Sequence, residues 1–171
     1  VVPEEDVEQI HREIQSISGS TTVFVVAGEF LRQNSVKNGI FALSDECDII
    51  CIHDCARPLV TEDLITNTIN GCKNNDGCIV AEPATDTVKI VKDGIVAETL
   101  DRQHMWLSQT PQTFNRDILM KALNYAEDNN IVGTDESALV EMMGGKIKII
   151  EGPPENIKIT NQQDWKALEV G

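Results

Sequence analysis

The chain of 171 residues has 14 Lys and Arg side chains against 28 Asp and Glu side chains, which gives a net charge of −14. Without a basic stripe, this charge argues against binding to nucleic acid, and no apolar run reaches the roughly 20 residues that a membrane span needs. The length and the 41% content of hydrophobic residues predict one globular domain with a sizeable core. The five cysteines and the lack of a signal-peptide pattern predict reduced thiols in a cytosol-like compartment.

The first half of the chain alternates strand-like and helix-like patterns. Strands are predicted at 1–2, 21–27, 48–54 and 77–86, and helices after Pro3, from an N-cap at Asn34 and from an N-cap at Thr61. This spacing predicts a three-layer α/β fold with a mostly parallel sheet. Because ligands of such sheets bind at the carboxyl ends of the strands, the residues that follow those ends are candidates: Gly28, Asp54 and Asp86.

The pattern then changes to two strand-like runs at 87–100 around Lys92-Asp93-Gly94, which predict a β-hairpin. An isolated hairpin is barely stable in water, so it should pack on the domain or on a second copy of the chain. The polar, proline-containing run at 109–112 is predicted not to form a strand. The remaining elements are predicted as helices at 116–128 and 135–143, strands at 146–150 and 157–160, and a last helix from Gln162.

The apolar strand at 48–54 ends with Asp54 and, three residues later, Arg57. A carboxylate in this position either caps the strand or binds Mg²⁺, which takes one or two protein carboxylates together with phosphates and water. Arg57 is held extended before Pro58 and either grips a phosphate or forms a surface ion pair. His53 is interpreted as a core histidine bonded to backbone, with no catalytic role.

Three further residues carry weaker signals. Thr110, before a proline, holds either a phosphate or a capping bond, and Arg102 lies at the end of the predicted hairpin. Lys158 alternates with Ile157 and Ile159, so it points either to water or to the top of the sheet. Cysteines recur every fourth residue at 47, 51 and 55, but in a strand this spacing separates the thiols too far for one metal ion.

Six short segments occur in order between Arg32 and Asp164: RQNSVKNGI, IHDCARPLV, PATDTVKIV, TLDRQHMWLSQTPQTF, GTDESALVEMMGG and GPPENIKIT. Together they resemble the 2-C-methyl-D-erythritol 4-phosphate cytidylyltransferase family of the non-mevalonate isoprenoid pathway, and the shared order makes the resemblance specific. The resemblance implies one Rossmann-like nucleotidyltransferase domain over 1–171, incomplete at its N-terminus. It also implies a β-arm at about 86–108 that interlocks two copies into a homodimer.

The resemblance implies cytidylyl transfer from CTP to 2-C-methyl-D-erythritol 4-phosphate, with pyrophosphate as the second product. Asp54 would bind Mg²⁺ or another divalent cation with the phosphates of CTP, and the nucleotide would also contact Gly28, Arg32 and Ser35. The sugar-alcohol phosphate would be held by a second set, partly contributed across the dimer: Arg57, Thr87, Arg102, Thr110 and Lys158. The residues expected to carry catalysis are Asp54, Arg102 and Lys158.

The expected chemistry needs no general base, because the attacking phosphate oxygen is already ionised at neutral pH. The reaction instead requires in-line positioning and cations that cancel crowded negative charge. The absence of an obvious catalytic His or Glu pattern therefore agrees with this chemistry. The family implies a location in the bacterial cytoplasm or the plastid stroma.

The sequence departs from the family pattern at two places. The family begins with a strand and a Gly-rich loop bearing Arg and Lys, whereas this chain starts about where the second strand of the family ends. We therefore expect the 171-residue chain by itself to be inactive or impaired. Glu29 and Phe30 follow Gly28 where the family usually has paired glycines and a polar residue, although Arg32 and Ser35 match.

Two alternatives stay open beside the methylerythritol enzyme. A pentitol-phosphate cytidylyltransferase, such as a ribitol 5-phosphate enzyme, shares the fold and the segment QTPQ, but DRQHMW and HDCARP resemble the methylerythritol enzyme more closely. A non-catalytic dimerisation or nucleotide-binding relative that lost its loop is the other alternative; replacement of Asp54, Arg102 or Lys158 would favour it, but all three are present. An α/β domain of unrelated purpose does not account for the ordered segments.

Overall fold

The structure is a computed structural model that describes residues 1–17, 19 and 21–169, with backbone only at 167–169. The chain divides into two compact units, the first formed by Val1–Ile50 and Asn115–Gly145 and the second by Cys51–Phe114 and Lys146–Gly171. Among the described residues, none of the helices combines the length and the apolar character that a membrane crossing requires.

Helices and strands are interspersed along the chain, as in other α/β proteins. In chain order they are α1 (Val7–Gln15), α2 (Arg32–Phe41), β1 (Ile49–Ile52), α3 (Glu62–Cys72), β2 (Gly77–Pro83), β3 (Lys89–Lys92), β4 (Ile95–Thr99), β5 (Trp106–Asn115), α4 (Arg116–Asp128), α5 (Glu136–Met142), β6 (Ile147–Glu151) and α6 (Gln162–Glu169). Short 3₁₀ helices lie at Glu4–Asp6 and Arg102–His104. The predicted α/β class is confirmed.

The main sheet has four strands in the order β1-β5-β2-β6. Strand β2 pairs in parallel with β6 and antiparallel with β5, so the sheet is mixed. Strands β3 and β4 form a separate two-stranded sheet, which confirms the predicted hairpin. Its turn places Asp93 and Gly94 at φ values of 50° and 77°, a left-handed conformation that glycine adopts without strain.

The prediction that residues 109–112 are not a strand is wrong, because they lie inside β5. Proline cannot donate to a ladder, and inside a sheet it is tolerated at a bulge. The pairing of β2 with β5 shifts register between Ile79 and Ala81, which face Gln112 and Ser108, and Pro111 lies in that irregular stretch. Burial and the bulge therefore outweigh the polar and rigid composition of the segment.

The core of the second unit forms where α3 packs on β2 and β6. Thr61 caps α3 as predicted, because its side-chain oxygen accepts a hydrogen bond from the Leu64 amide at 3.2 Å. Close packing explains Gly77, where a Cβ atom would lie 2.5 Å from the Phe114 ring. Burial raises the pKa of the Cys78 thiol to about 11, so this core thiol stays protonated and unreactive at neutral pH.

The first unit is mainly helical and confirms most of the predicted helices. Helix α4 has the predicted bounds, with the Asn115 side chain accepting from the Asp117 amide at 3.1 Å. Helix α5 begins after Asp135, whose carboxylate accepts from the Ala138 amide at 2.9 Å. These side chains satisfy backbone donors that a helix start leaves unpaired, which is why the sequence located both starts.

Three predicted elements differ from the structure. The predicted strand at 21–27 is reduced to one parallel bridge between Val2 and Ala27, since no other ladder partner occurs among the described residues. Asn34 is not an N-cap: it lies inside α2, and its side-chain Nδ2 donates to Glu29 Oε2 at 2.9 Å. Residues 157–160 form no strand, and the Ile159 amide donates a backbone hydrogen bond to the Ala56 carbonyl at 2.8 Å.

Candidate functional site

The candidate site of the second unit is centred on Asp54, two residues beyond the end of β1. Lys158 Nζ donates to Asp54 Oδ2 at 2.8 Å, in an ion pair whose side chains are 45% and 17% exposed, respectively. A carboxylate and an ammonium group therefore meet at the end of a strand, where both remain accessible to a ligand. In such a pair the carboxylate can bind a divalent cation and the ammonium group can bind a phosphate.

Thr110 and His53 support the backbone beneath Asp54. The Asp54 amide donates to Thr110 Oγ1 at 3.0 Å, and the same hydroxyl lies 3.1 Å from His53 Nδ1. His53 Nε2 lies 2.9 Å from the Arg57 carbonyl oxygen. Because a carbonyl only accepts, Nε2 carries the proton in this contact, and in the neutral ring Nδ1 accepts from the Thr110 hydroxyl.

Arg57 is 9% exposed and lies below this surface. Its Nη1 donates to the Asn156 carbonyl at 2.6 Å, and its backbone amide donates to Asp54 O at 2.9 Å. Burial lowers the pKa of the guanidinium below its ordinary value, whereas the Asp54 and Glu82 carboxylates oppose that shift. The group nevertheless remains a cation at neutral pH and contributes positive charge beneath Asp54.

Asn156 and Gln109 complete the network. Asn156 Nδ2 donates to Gln109 Oε1 at 2.7 Å and to the Thr110 carbonyl at 3.0 Å. Both side chains are buried. The network joins the residues after β1, strand β5 and the segment that carries Lys158.

Arg102 and Thr87 lie at the base of the hairpin and do not belong to this network. Arg102 Nη1 donates to the Thr85 carbonyl at 2.6 Å, and both Arg102 and Thr87 are exposed. The second unit thus brings together Asp54, Lys158, Thr110 and Arg57, while the two hairpin candidates face solvent beside β3 and β4.

The nucleotide-binding candidates belong to the first unit. Ser35 Oγ accepts from the Glu29 amide at 2.8 Å, which folds the loop after Gly28 onto the start of α2. A Cβ atom at Gly28 would lie 3.0 Å from Ser35 Oγ, so the close approach explains the glycine. Arg32 pairs with the buried Glu136 carboxylate, whose pKa burial raises while Arg32 opposes the shift.

Comparison with known proteins identifies the family. The family model of 2-C-methyl-D-erythritol 4-phosphate cytidylyltransferase matches residues 1–170. The chain belongs to this family. The cytidylyltransferase of Geobacter metallireducens is 39% identical over 173 residues, which cover 99% of this chain and 75% of that relative. The relative from Alkaliphilus oremlandii is 40% identical over 171 residues, covering 99% and 72%.

A solved structure agrees with this assignment. The crystal structure of 4-diphosphocytidyl-2C-methyl-D-erythritol synthase from Anaerococcus prevotii superposes with a TM-score of 0.91 at 31% sequence identity, covering 99% of this chain and 78% of that one. The sequence resemblance to the cytidylyltransferase family is therefore confirmed, and the match extends over both compact units.

Sequence reasoning missed two supporting residues of this cytidylyltransferase, Gln109 and Asn156, and one of the two contacts of a third, His53. His53 was correctly interpreted as bonded to backbone, but its second contact, with Thr110, depends on a residue 57 positions away. Gln109 and Asn156 are polar residues in stretches predicted to be loop-like. The one signal in the sequence was Asn156, directly before Ile157-Lys158-Ile159. Sequence position alone does not show whether such an asparagine is buried or exposed.

Replacing Thr110 with valine is expected to destabilise the cytidylyltransferase, because it removes the partner of the Asp54 amide and of His53 Nδ1. Leaving a buried polar group unpaired costs about 1–3 kcal/mol. Urea unfolding of the T110V variant measures this loss. T110S keeps the hydroxyl and should unfold close to the wild type. Equal stability of T110V and the wild type would contradict the assigned hydrogen bonds.

Proposed function

We propose that this protein transfers a cytidylyl group from CTP to 2-C-methyl-D-erythritol 4-phosphate, giving the CDP-linked product and pyrophosphate. Family membership supports the reaction. The observation that carries the proposal is the accessible Asp54–Lys158 pair at 2.8 Å, directly beyond the end of β1. Ligands of α/β sheets bind in this position.

The reaction forms one phosphorus–oxygen bond and breaks another. An anionic oxygen of the sugar-alcohol phosphate attacks the α-phosphorus of CTP, and the bond from that phosphorus to the oxygen bridging to the β-phosphate breaks. The electron pair of the broken bond leaves with pyrophosphate. The chain therefore has to bring two anions together and hold them in line, which is a task for cationic side chains and not for a base.

We assign Lys158 to the attacking phosphate and Asp54 to a divalent cation shared with CTP. Lys158 Nζ lies 2.8 Å from Asp54 Oδ2, so the ammonium group is already positioned beside the carboxylate that we assign to the cation. Cation placement before the reaction lowers the cost of reorganisation when charge develops. Arg102 and Thr87 would reach a phosphate from the exposed base of the hairpin, and their roles stay predictions.

Magnesium is the proposed cofactor, held by Asp54 and by oxygens of the CTP phosphates. Across residues 1–17, 19 and 21–169, no group of three or more His, Cys, Asp or Glu side chains is placed to bind a metal. A single accessible carboxylate fits Mg²⁺, which relies on substrate phosphates and water for most of its ligands. When bound, the ion neutralises negative charge on the phosphates.

Two groups of predicted contacts remain predictions. Arg57 and Thr110 were expected to hold the sugar-alcohol phosphate, but both are buried and engaged with protein atoms, so we propose that they shape the site beneath Asp54. Gly28, Arg32 and Ser35 were expected to contact the nucleotide. Ser35 supports its own loop through Glu29, which is compatible with nucleotide recognition by that loop.

We propose that residues 1–171 form one nucleotidyltransferase domain, since the family match runs through both units. We also propose that the protein acts in the bacterial cytoplasm, because the named curated relatives are bacterial. The plastid stroma, the other predicted location, has no supporting relative among them.

We further propose a homodimer formed through the hairpin of β3 and β4. All residues of both strands are exposed, including apolar Val91, Ile95 and Val96. Val91 lies opposite Val96 in the ladder, so two valines share one uncovered face. A second copy would bury this face, which a hairpin in water cannot cover by itself.

Changing Val96 to aspartate is expected to weaken the dimer roughly 10- to 100-fold, since burying a valine is worth about 1.5–3 kcal/mol. Sedimentation equilibrium measures the dissociation constant. The matched control is Met142→Asp, which places the same charge on an exposed apolar residue of α5: Met142 is 58% exposed and Val96 is 55% exposed. A monomeric wild type, or equal weakening by both variants, would exclude the hairpin as the interface.

Incubation of a full-length form of the protein, one that carries the N-terminal strand and Gly-rich loop of the family, with CTP and one sugar-alcohol phosphate at a time tests the proposed function. With magnesium, we expect pyrophosphate release with 2-C-methyl-D-erythritol 4-phosphate and at least about tenfold slower release with ribitol 5-phosphate, since discrimination by about 1.4 kcal/mol gives that ratio. Faster transfer to ribitol 5-phosphate would favour the pentitol enzyme. Binding of CTP without turnover of either substrate would favour a non-catalytic relative.

A further inference from the structure

Asn156 is fully buried and makes three hydrogen bonds to residues around the candidate site. Its side-chain Nδ2 donates to Gln109 Oε1 at 2.7 Å and to the Thr110 carbonyl at 3.0 Å. Its own carbonyl accepts from Arg57 Nη1 at 2.6 Å. One residue thereby connects strand β5 and the residues after β1 to the segment that carries Lys158.

Lys158 lies between two anchors of that segment. Asn156 is the anchor on one side, and on the other the Ile159 amide donates to the Ala56 carbonyl at 2.8 Å. The segment forms no strand of its own, so these bonds replace a ladder. Its position, and therefore the starting point of the Lys158 side chain, depends on contacts that Asn156 supplies.

The partner of Asn156 is itself held tightly. A Cβ atom at Gly152 would lie 2.8 Å from Gln109 Oε1 and 2.5 Å from a Val80 methyl group. The absence of a side chain at Gly152 thus leaves the space in which the Gln109 amide meets Asn156. Because the Gln109 amide is held in place, its Oε1 also fixes the direction of the Asn156 Nδ2 donor.

The network is not optimised for stability alone. Among the described residues, Asn156 Oδ1 and Arg57 Nε are buried and have no hydrogen-bond partner. Each such atom costs stability that an apolar residue of similar size would avoid. Asn156 joins three segments although its Oδ1 lacks a hydrogen-bond partner within the described part of the chain. Such a residue is better explained by a role in orienting those segments than by a contribution to packing.

We propose that Asn156 is a positioning residue for cytidylyl transfer. Through its bonds to Gln109 and Thr110, it fixes the segment from which Lys158 reaches Asp54 and the attacking phosphate. Asn156 touches no reacting atom in this proposal and acts through Lys158. The inference rests on the proposed function, because Lys158 is assigned there to the sugar-alcohol phosphate.

Two variants test the proposal. Asn156→Asp keeps the shape but turns a carboxylate oxygen towards the two acceptors on Gln109 and Thr110, and Asn156→Ser removes the amide without adding charge. Because misplacement by about 1 Å can cost about 100-fold in rate, we expect kcat/KM for 2-C-methyl-D-erythritol 4-phosphate to fall roughly 10- to 100-fold in both variants. The Ile159 amide should exchange hydrogen faster in both.

Thr113→Val is the matched control. Thr113 Oγ1 donates to Thr68 Oγ1 at 2.9 Å, both residues are fully buried, and Thr113 lies on β5 like Gln109 and Thr110. This variant also loses a buried hydrogen bond, but it leaves the Lys158 segment anchored. We expect a lowered Tm with kcat/KM within about twofold of the wild type, as for a bond remote from the reacting groups.

The outcomes separate the two proposals. Failure of the full-length wild type, with the N-terminal strand and Gly-rich loop of the family present, to transfer cytidylyl groups contradicts the proposed function. The hydrogen-exchange rate of the Ile159 amide would still report whether Asn156 anchors the segment. With an active wild type, unchanged kcat/KM in either Asn156 variant overturns the positioning role. If Thr113→Val has the same Tm as the Asn156 variants and loses as much kcat/KM, the positioning role is also overturned. Failure of both Asn156 variants to fold overturns it too, since that result assigns Asn156 to global stability.

Discussion

Replacing Lys158 with alanine is expected to lower kcat/KM for cytidylyl transfer about 100- to 1,000-fold, the usual effect of removing one group that stabilises developing charge. In the proposed function Lys158 binds the attacking phosphate, and its Nζ lies 2.8 Å from Asp54 Oδ2. The fold should survive, because a solvent-accessible ion pair is worth about 0–1 kcal/mol. Steady-state kinetics with thermal unfolding of the same sample measure both effects.

Lys37→Ala is the matched control for this variant. Lys37 also forms an ion pair, with Glu127, but it belongs to α2 of the first unit and is not assigned to either phosphate. Its loss should leave turnover within about twofold of the wild type, since ion pairs outside a site seldom affect the transition state. Normal turnover in Lys158→Ala, or an equal loss in Lys37→Ala, would contradict the role of Lys158.

Changing Asp54 to asparagine should have the larger effect, a loss of at least about 1,000-fold in kcat/KM. The proposed cation supplies several kcal/mol of charge stabilisation, and each 1.4 kcal/mol corresponds to tenfold in rate. Asparagine keeps the backbone bond from residue 54 to Thr110, so the strand end should retain its shape. We expect the activity of the wild type to rise and saturate with magnesium, and the activity of the variant not to do so.

Asp45→Asn is the control for the lost charge. Asp45 is an exposed carboxylate paired with Arg116 at 2.9 Å, so its replacement also removes a charged partner. We expect its magnesium dependence to match the wild type. If Asp54→Asn retained more than about a hundredth of wild-type turnover, the several kcal/mol assigned to the cation at this carboxylate would be contradicted.

Local signals account for the parts of the fold that the sequence predicted. Thr61, Asn115 and Asp135 each cap a helix with a side-chain oxygen, and the cap depends on residues within three positions. The turn at Asp93-Gly94 is equally local, because it requires left-handed backbone. Such signals are complete within a short window, so they can be identified without knowing the tertiary structure.

Signals that depend on distant partners were misjudged. Pro111 and its polar neighbours enter β5 because β2 provides a bulged ladder partner for them. Residues 157–160 have the alternation of a strand but remain outside the sheet. In both cases the outcome depends on a neighbouring strand, whose presence or absence overrides local composition.

The candidate site divides in the same way. Asp54 was predictable from its position after an apolar strand, and the family resemblance pointed to Lys158. Their contact joins residues 104 positions apart and emerged only in the folded chain. Burial of Arg57 and Thr110, like the hub at Asn156, depends on packing that one-dimensional patterns do not report.

The most direct test of the central claim, that Asp54 and Lys158 act as one unit on the two phosphates, is a double-mutant cycle on kcat/KM. The cycle compares Asp54→Asn, Lys158→Ala and the double variant with the wild type. Substitutions of residues that act as a unit have strongly non-additive effects. We therefore predict that kcat/KM of the double variant is close to that of the less active single variant. Losses that multiply across the two single variants would show independent roles and contradict the account.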